Sequence, residues 1–363
     1  MSLVPKHIKN LAPYKPGKTI ASVKKEYALT NIIKLASNEN PLGPSKKSLD
    51  AVSKVLLQSH RYPDASGLLL REKLAKKFDV KINNVILGSG SEGIMSSIMR
   101  TFLKETDELI SSENSFIGFR VLANASGNKI NWVSKKSYKY DLDAIINKIN
   151  SNTKIIYIAN PDNPTGTYIT KNEFELFMSR VPDRVLVILD EAYFEYANYI
   201  QDYPDSMFYR HDNIITLRTF SKVYGLAGFR VGYGFAHRDL ITNLMKVKLP
   251  FEPSSCSQVA AIAALDDFAH LEDTILLNRK EMNKVCNKLE KNKLRFIPSS
   301  ANFVTIIFNS RNEVINSTKF LLKNGIIVRD LIGFGLENCI RVTIGTEYEN
   351  KLFMKKIEKY INK

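Results

Sequence analysis

The chain has 363 residues, enough for one large domain and a smaller one. With 44% hydrophobic and 25% charged residues it has a globular composition, which excludes a disordered, collagenous or disulfide-stapled chain. The net charge of +15 keeps nucleic acid and anionic metabolites in view, but the lysines fall in scattered pairs, such as Lys24 with Lys25 and Lys355 with Lys356. A nucleic-acid reader would gather them on one element, so a solvated lysine-rich surface is the expectation. Cys256, Cys286 and Cys339 are odd in number and lack metal spacing, and no histidine pair has ligand spacing. No apolar run approaches the roughly 20 residues of a membrane helix, and the first ten residues hold no apolar signal core. A cytoplasmic protein is expected, with no metal, no membrane segment and no nucleic-acid partner.

Residues 1–30, with Pro13, Pro16 and Gly17, read as an irregular arm. Helices are expected at 45–58, 67–78 and 91–103, with a turn around His60 to Asp64. Short apolar runs predict strands at 85–87, 107–110, 130–133, 154–159, 185–190 and 213–217. Thr170 and Glu173 form a capping-box pattern for a helix over 171–180. Short, turn-bounded apolar strands alternating with helices predict an α/β fold with a mainly parallel sheet covered on both faces. After about residue 250 the pattern changes. Helices at 256–267, 270–292 and 314–324 mix with strands at 302–308, 326–328 and 340–344, and Thr346 with Glu349 opens a last helix. This half reads as a smaller α+β domain. The expected division is an arm of residues 1–30 packing with the small domain, a large domain of 31–250 and a small domain of 251–363.

Four segments carry chemistry, each after an expected strand. Gly88, Gly90 and Gly93 have the G-x-G-x-x-G spacing of a phosphate cup at a helix start. Alone, this also fits a dinucleotide turn, with Glu108 or Glu113 as the ribose-binding acid. Asn160, Pro161, Asn163 and Pro164 fix a rigid loop at a strand's carboxyl end, where open α/β sheets place ligands. Asp190 ends a buried apolar run, where a carboxylate is costly unless it caps the next segment or meets a cation, and Tyr193 follows three residues on. Lys222 lies at a strand exit, after Thr219 and Ser221 and before Arg230. A lysine with a lowered pKa can form a Schiff base with an aldehyde, and its neighbours suit a phosphate.

Together with Lys34 to Gly43, Arg61 to Asp64, Gly325 to Asp330 and Ile340 to Gly345, these segments resemble the fold-type-I pyridoxal-phosphate aminotransferases, most closely the histidinol-phosphate aminotransferase family. The resemblance spans nearly the whole chain. It implies pyridoxal 5′-phosphate carried by Lys222, which would also move the proton between substrate and cofactor. Asp190 would hold the ring N–H, and Asn163 and Tyr193 the phenolic oxygen. Phe116 would stack on the ring. The amides of Ser91 and Glu92, with Thr219, Ser221 and Arg230, would take the phosphate. Tyr62 would reach that phosphate from a second subunit, making the protein a homodimer with shared sites. Arg341, Arg329, Asn38 and Tyr14 would bind substrate.

The implied activity is transfer of the amino group of histidinol phosphate to 2-oxoglutarate, in histidine biosynthesis. The stretch Asp330 to Leu336 resembles family members that accept aromatic amino acids, so phenylalanine or tyrosine is the alternative donor. A dinucleotide-dependent dehydrogenase and a basic nucleic-acid-binding protein are the rivals from other classes.

Overall fold

The computed structural model describes residues 3–13, 16–209 and 211–362. Its centre is a seven-stranded sheet. The strands are β1 (Val85–Gly88), β2 (Glu108–Ser112), β3 (Lys129–Val133), β4 (Thr153–Ala159), β5 (Leu186–Asp190), β6 (Ile214–Thr219) and β7 (Gly232–Ala236). Their spatial order is β1-β7-β6-β5-β4-β2-β3, and only β7 runs against its neighbours. Every residue of β5 and β6 is buried, and residues 186–189 of β5 are apolar throughout, as a strand covered on both faces requires. The parallel strands deliver their carboxyl ends to one edge, and all four chemical segments leave from that edge.

A second, four-stranded antiparallel sheet has the order β10-β11-β9-β8. Its strands are β8 (Arg295–Ile297), β9 (Phe303–Ile307), β10 (Arg329–Asp330) and β11 (Cys339–Thr343). Leu289, Val304, Leu321, Ile340 and Phe353 form its core with the helices Phe268–Lys291, Arg311–Lys323 and Glu347–Ile361. Ile33–Lys34 pairs in parallel with Ile326–Ile327 and joins this body. The helix Ser255–Leu265 instead shares a core with Leu70, Leu74 and Phe220, on the large sheet's side.

Both capping boxes close as the sequence predicts, with reciprocal bonds between Thr170 and Glu173 and between Thr346 and Glu349. Three expectations need correction. The arm is not irregular throughout: Thr19 and Ser22 cap each other reciprocally and open the helix Ile20–Tyr27, whose Val23 is buried against Ala36 and Ile327. β7, with two glycines, lies where no strand was expected, yet it is paired on both sides. A Cβ on Gly232 would come within 2.5 Å of the Gly90 and Ser91 backbone, so packing demanded glycine where strand propensity disfavours it. The helices Ile117–Ser126, Leu142–Asn147 and Arg238–Val247 also lie where no helix was expected.

Candidate active site

A cavity of about 210 Å³ opens at the carboxyl edge of the large sheet. Its wall takes Ser91 and Glu92 from the start of the helix Gly90–Phe102, Phe116 from the loop after β2, Asn163 from that after β4, Asp190 and Tyr193 from the end of β5, Thr219, Ser221 and Lys222 from the end of β6, and Arg230 from the loop before β7. Ten residues far apart in sequence therefore meet at one site. The two dipeptides Asp190-Glu191 and Arg218-Thr219 show how. Asp190 and Thr219 face the cavity. Glu191 and Arg218 face the other side, where Arg218 donates to Glu191 at 2.7 Å and to Asp205 at 2.9 Å.

Asp190 is buried. Its Oδ2 accepts a 2.8 Å hydrogen bond from the Tyr157 hydroxyl, while its Oδ1 is buried without a hydrogen-bond partner among the described residues. Burial pushes its carboxyl up to about 6, against the opposing pull of Tyr157. Across the cavity, burial and then the Arg341 charge push the Lys222 ammonium down to about 8. Its Nζ lies 3.5 Å from the Ser37 carbonyl oxygen and 5.6 Å from the centre of the Tyr193 ring. A half-satisfied carboxylate and a readily deprotonated amine mark this as a site for chemistry.

Two neighbours are oriented by bonds made outside the cavity. The Tyr193 hydroxyl accepts from Asn38 Nδ2 at 2.7 Å, leaving its own proton for another acceptor, and burial pushes its pKa up to about 12, so it keeps that proton. Asn163 Oδ1 accepts from Arg341, which leaves the Asn163 amide donor for the cavity. Asn38 holds a left-handed backbone (φ 56°), a conformation asparagine tolerates better than most residues, and its amide donates to Thr343 Oγ1 on β11. Arg230 is also left-handed (φ 51°) and binds Glu92 at 3.1 Å. Beside it, Ser89 makes no side-chain cap, so the first amides of the helix Gly90–Phe102 are available to an anion.

Arg341 is buried and donates to Asn163 Oδ1 and the Ala36 carbonyl. Arg329 lies directly opposite it on the neighbouring strand. Phe334 lies 5.8 Å from each guanidinium.

Other sequence expectations stand apart from the cavity. Tyr62 is exposed and stacks on Phe251 at 4.3 Å, away from the cavity of its own chain. Tyr14 lies outside the described residues. Neither candidate ribose acid serves the glycine turn. Glu108 sits at the amino end of β2, opposite the ligand edge, where Asn150, Lys129 and Asn131 hold its carboxyl down at about 2, and Glu113 binds Ser134. Sequence reading missed Ser37 and Glu39, which also line the cavity. They lie in the segment Lys34 to Gly43 already singled out, but nothing in their side chains set them apart.

The residues fit pyridoxal phosphate. A cationic ring nitrogen would satisfy the bare Asp190 Oδ1, and the helix amides with Ser221 and Arg230 offer a phosphate cup in the same cavity. No group of three or more metal-binding side chains occurs among the described residues, and no described helix is long and apolar enough to cross a membrane.

Residues 30–357 match the sequence profile of aminotransferase class I and II. A histidinol-phosphate aminotransferase of Nitrosococcus oceani is 40% identical over 353 residues, 97% of this chain and 95% of that protein. One from a Geobacillus species is 42% identical, over 95% of this chain and 94% of its own. Among solved structures, histidinol-phosphate aminotransferase of Sinorhizobium meliloti in complex with pyridoxal-5′-phosphate superposes with a TM-score of 0.91 at 25% identity, covering 100% of this chain and 98% of that one. A Thermus thermophilus aspartate aminotransferase, 18% identical with a TM-score of 0.84, shares the fold.

Proposed function

The chain belongs to the aminotransferase class I and II family and, within it, to the histidinol-phosphate aminotransferases, and from this premise we propose that it moves the amino group of histidinol phosphate to 2-oxoglutarate, yielding imidazole acetol phosphate and glutamate. The observation that carries the reading is the buried, half-satisfied Asp190 facing a Lys222 amine whose pKa is brought down to about 8. When bound, pyridoxal phosphate supplies an aldehyde for the amine and a conjugated ring that takes up the electron pair left by proton loss.

The residues divide the work. Lys222 Nζ, which loses its proton more readily than a solvated lysine, would carry the cofactor and afterwards take and return the substrate proton. Asp190 Oδ1 holds the ring N–H as a cation. Tyr193 and Asn163 donate to the phenolic oxygen, each already turned toward the cavity by Asn38 and Arg341. Phe116 covers the ring face. Ser91, Glu92, Thr219, Ser221 and Arg230 hold the phosphate, and for this Arg230 gives up its surface pair with Glu92. Arg341 takes the anionic end of either donor, Arg329 adds a second fork for a phosphate, and Asn38 acts through the Tyr193 hydroxyl that it orients.

A homodimer belongs to the same reading. Leu57, Leu69, Tyr62, Leu249 and Phe251 leave large apolar surface exposed, and a second copy covering it would bring Tyr62 to the partner cavity. A cytoplasmic setting fits the three free cysteines.

The purified protein is assayed with 2-oxoglutarate and either histidinol phosphate or phenylalanine, and the cofactor-loaded protein is treated with borohydride and peptide-mapped. Glutamate formation, fastest from histidinol phosphate, and cofactor fixed on Lys222 are expected. Faster turnover of phenylalanine would move the donor to the aromatic class, and label on another lysine would overturn the role of Lys222.

A further inference from the structure

We propose that the buried ion pair between Lys135 and Asp162 is a positioning clamp that sets Phe116 and Asn163 against the cofactor ring, an inference that rests on the aminotransferase reading. Neither charged residue lines the cavity. Asp162 is fully buried, the Lys135 side chain is only 5% exposed, and their charged groups are in direct hydrogen-bonding contact. Lys135 Nζ also donates to the Asn114 carbonyl at 3.1 Å. Ser115 Oγ and the Tyr140 hydroxyl lie 2.8 and 3.1 Å from Asp162 Oδ1, and Thr165 Oγ1 donates to Oδ2 at 2.8 Å. The Tyr140 oxygen in turn accepts from the Ala159 amide at 3.0 Å.

The cluster ties three loops together. Asn114 and Ser115 follow β2, Lys135 follows the edge strand β3, and Asp162 follows β4. Ser115 precedes Phe116 and Asp162 precedes Asn163, so a shift of either hub residue reaches a cavity residue through one peptide unit. Stability alone is a poor explanation for such a pair. Desolvation of two charges roughly cancels their attraction, and apolar replacements of equal volume are often at least as stable. What the pair adds is direction: a fixed point charge with defined lone-pair contacts allows one arrangement of the loops where an apolar plug allows several.

Cofactor-free protein is titrated with pyridoxal phosphate by absorbance, and the thermal midpoint of each variant is recorded. Asp162→Asn and Lys135→Met, which each leave one charge buried without its counter-charge, are expected to weaken binding by about tenfold, and the double variant to return within about threefold of wild type. Tyr140→Phe keeps the ion pair but cuts the link to Ala159, and is expected to weaken binding by about threefold. Leu289→Ala, in the core under the small sheet, serves as a control that lowers the midpoint without changing affinity. Single variants that bind like this control, or a double variant no better than the worse single, would overturn the clamp. If the singles do not fold, wild-type affinity in Tyr140→Phe overturns it equally. A wild-type protein that takes up no pyridoxal phosphate would sink the cofactor reading itself, whereas uptake with unchanged variants removes only the clamp.

Discussion

Asp162 and Asp190 are both buried aspartates at the carboxyl ends of neighbouring parallel strands, and they are used in opposite ways. Asp162 is saturated: it meets a lysine, two hydroxyls on one oxygen and a third on the other. Asp190 has one tyrosine hydroxyl on Oδ2 and a bare Oδ1. Burying a carboxylate costs several kcal/mol unless partners return it, so the first is complete within the chain and the second is incomplete without a ligand. Arg218, on the next strand, is likewise closed, by Glu191 and Asp205, and lies 3.4 Å from the centre of the Phe194 ring. An incompletely compensated buried carboxylate marks a binding site more sharply than the presence of a charge does.

Asp190→Asn is the strongest way to break the contrast. The amide cannot hold a ring N–H⁺ by charge, and losing roughly 4 kcal/mol of stabilisation lowers turnover by about a thousandfold. The same change is expected to stabilise the cofactor-free protein. The folded carboxyl titrates near 6, above its ordinary 3.8, so its contribution favours folding fully at low pH and is lost as pH rises through about 6. Two pH units correspond to about 3 kcal/mol of cost for the buried carboxylate above that range. In thermal unfolding of cofactor-free samples, the advantage of the variant should grow between pH 4 and 6 and then level off. A pH-independent difference would mean that the Asp190 charge is already compensated. Added pyridoxal phosphate should reverse the order and leave the wild type the more stable.

Arg329→Ala tests the cationic half with a smaller expected effect. A phosphate has three acceptor oxygens and up to two charges, so it can engage a guanidinium that a carboxylate leaves idle. The specificity constant for histidinol phosphate should fall roughly ten- to a hundredfold, with a smaller loss for glutamate. Half-reaction rates for the two donors separate the cases, and equal losses would assign Arg329 to the fold of the small sheet.

What was legible in the sequence follows the same division. The glycine turn, the Asn160 to Gly166 loop, Asp190 with Tyr193, and Lys222 with Arg230 could be read because each breaks an apolar run with residues that a core does not want. The parallel sheet then forces their loops to one edge. The partners that make the site specific were not legible. Tyr157 sits inside an apolar strand and reads as core, although its hydroxyl reaches Asp190. Lys135 and Asp162 are 27 residues apart, and nothing local tells a buried lysine from a solvated one. β7 escaped because glycine at 232 and 234 answers a packing demand from the Gly90 turn and from Leu217, which local propensity does not encode.

Tyr157→Phe probes the hydroxyl bond on Asp190 Oδ2, and carries the smallest expected effect. Phe119 stacks on the Tyr157 ring at 4.0 Å, so the phenylalanine ring keeps its place and only the hydroxyl is lost. That hydroxyl stabilises the charged carboxylate, so without it the Asp190 pKa, already raised by burial, moves further up. Cofactor binding requires the carboxylate, so affinity should fall as pH drops through the Asp190 pKa, and in the variant this fall should begin at higher pH. Titration of cofactor-free protein should show binding about threefold weaker at pH 8 and about tenfold weaker at pH 6, because one lost hydrogen bond costs about 0.7 kcal/mol and protonation adds to it at the lower pH. The phosphate of pyridoxal phosphate also titrates in this range, and the same series on Asp190→Asn isolates that background. If the two pH profiles of wild type and Tyr157→Phe differ only by a constant factor, the tyrosine holds Asp190 in place without tuning its charge, and the free energy of the bare Oδ1 alone sets the affinity of the site.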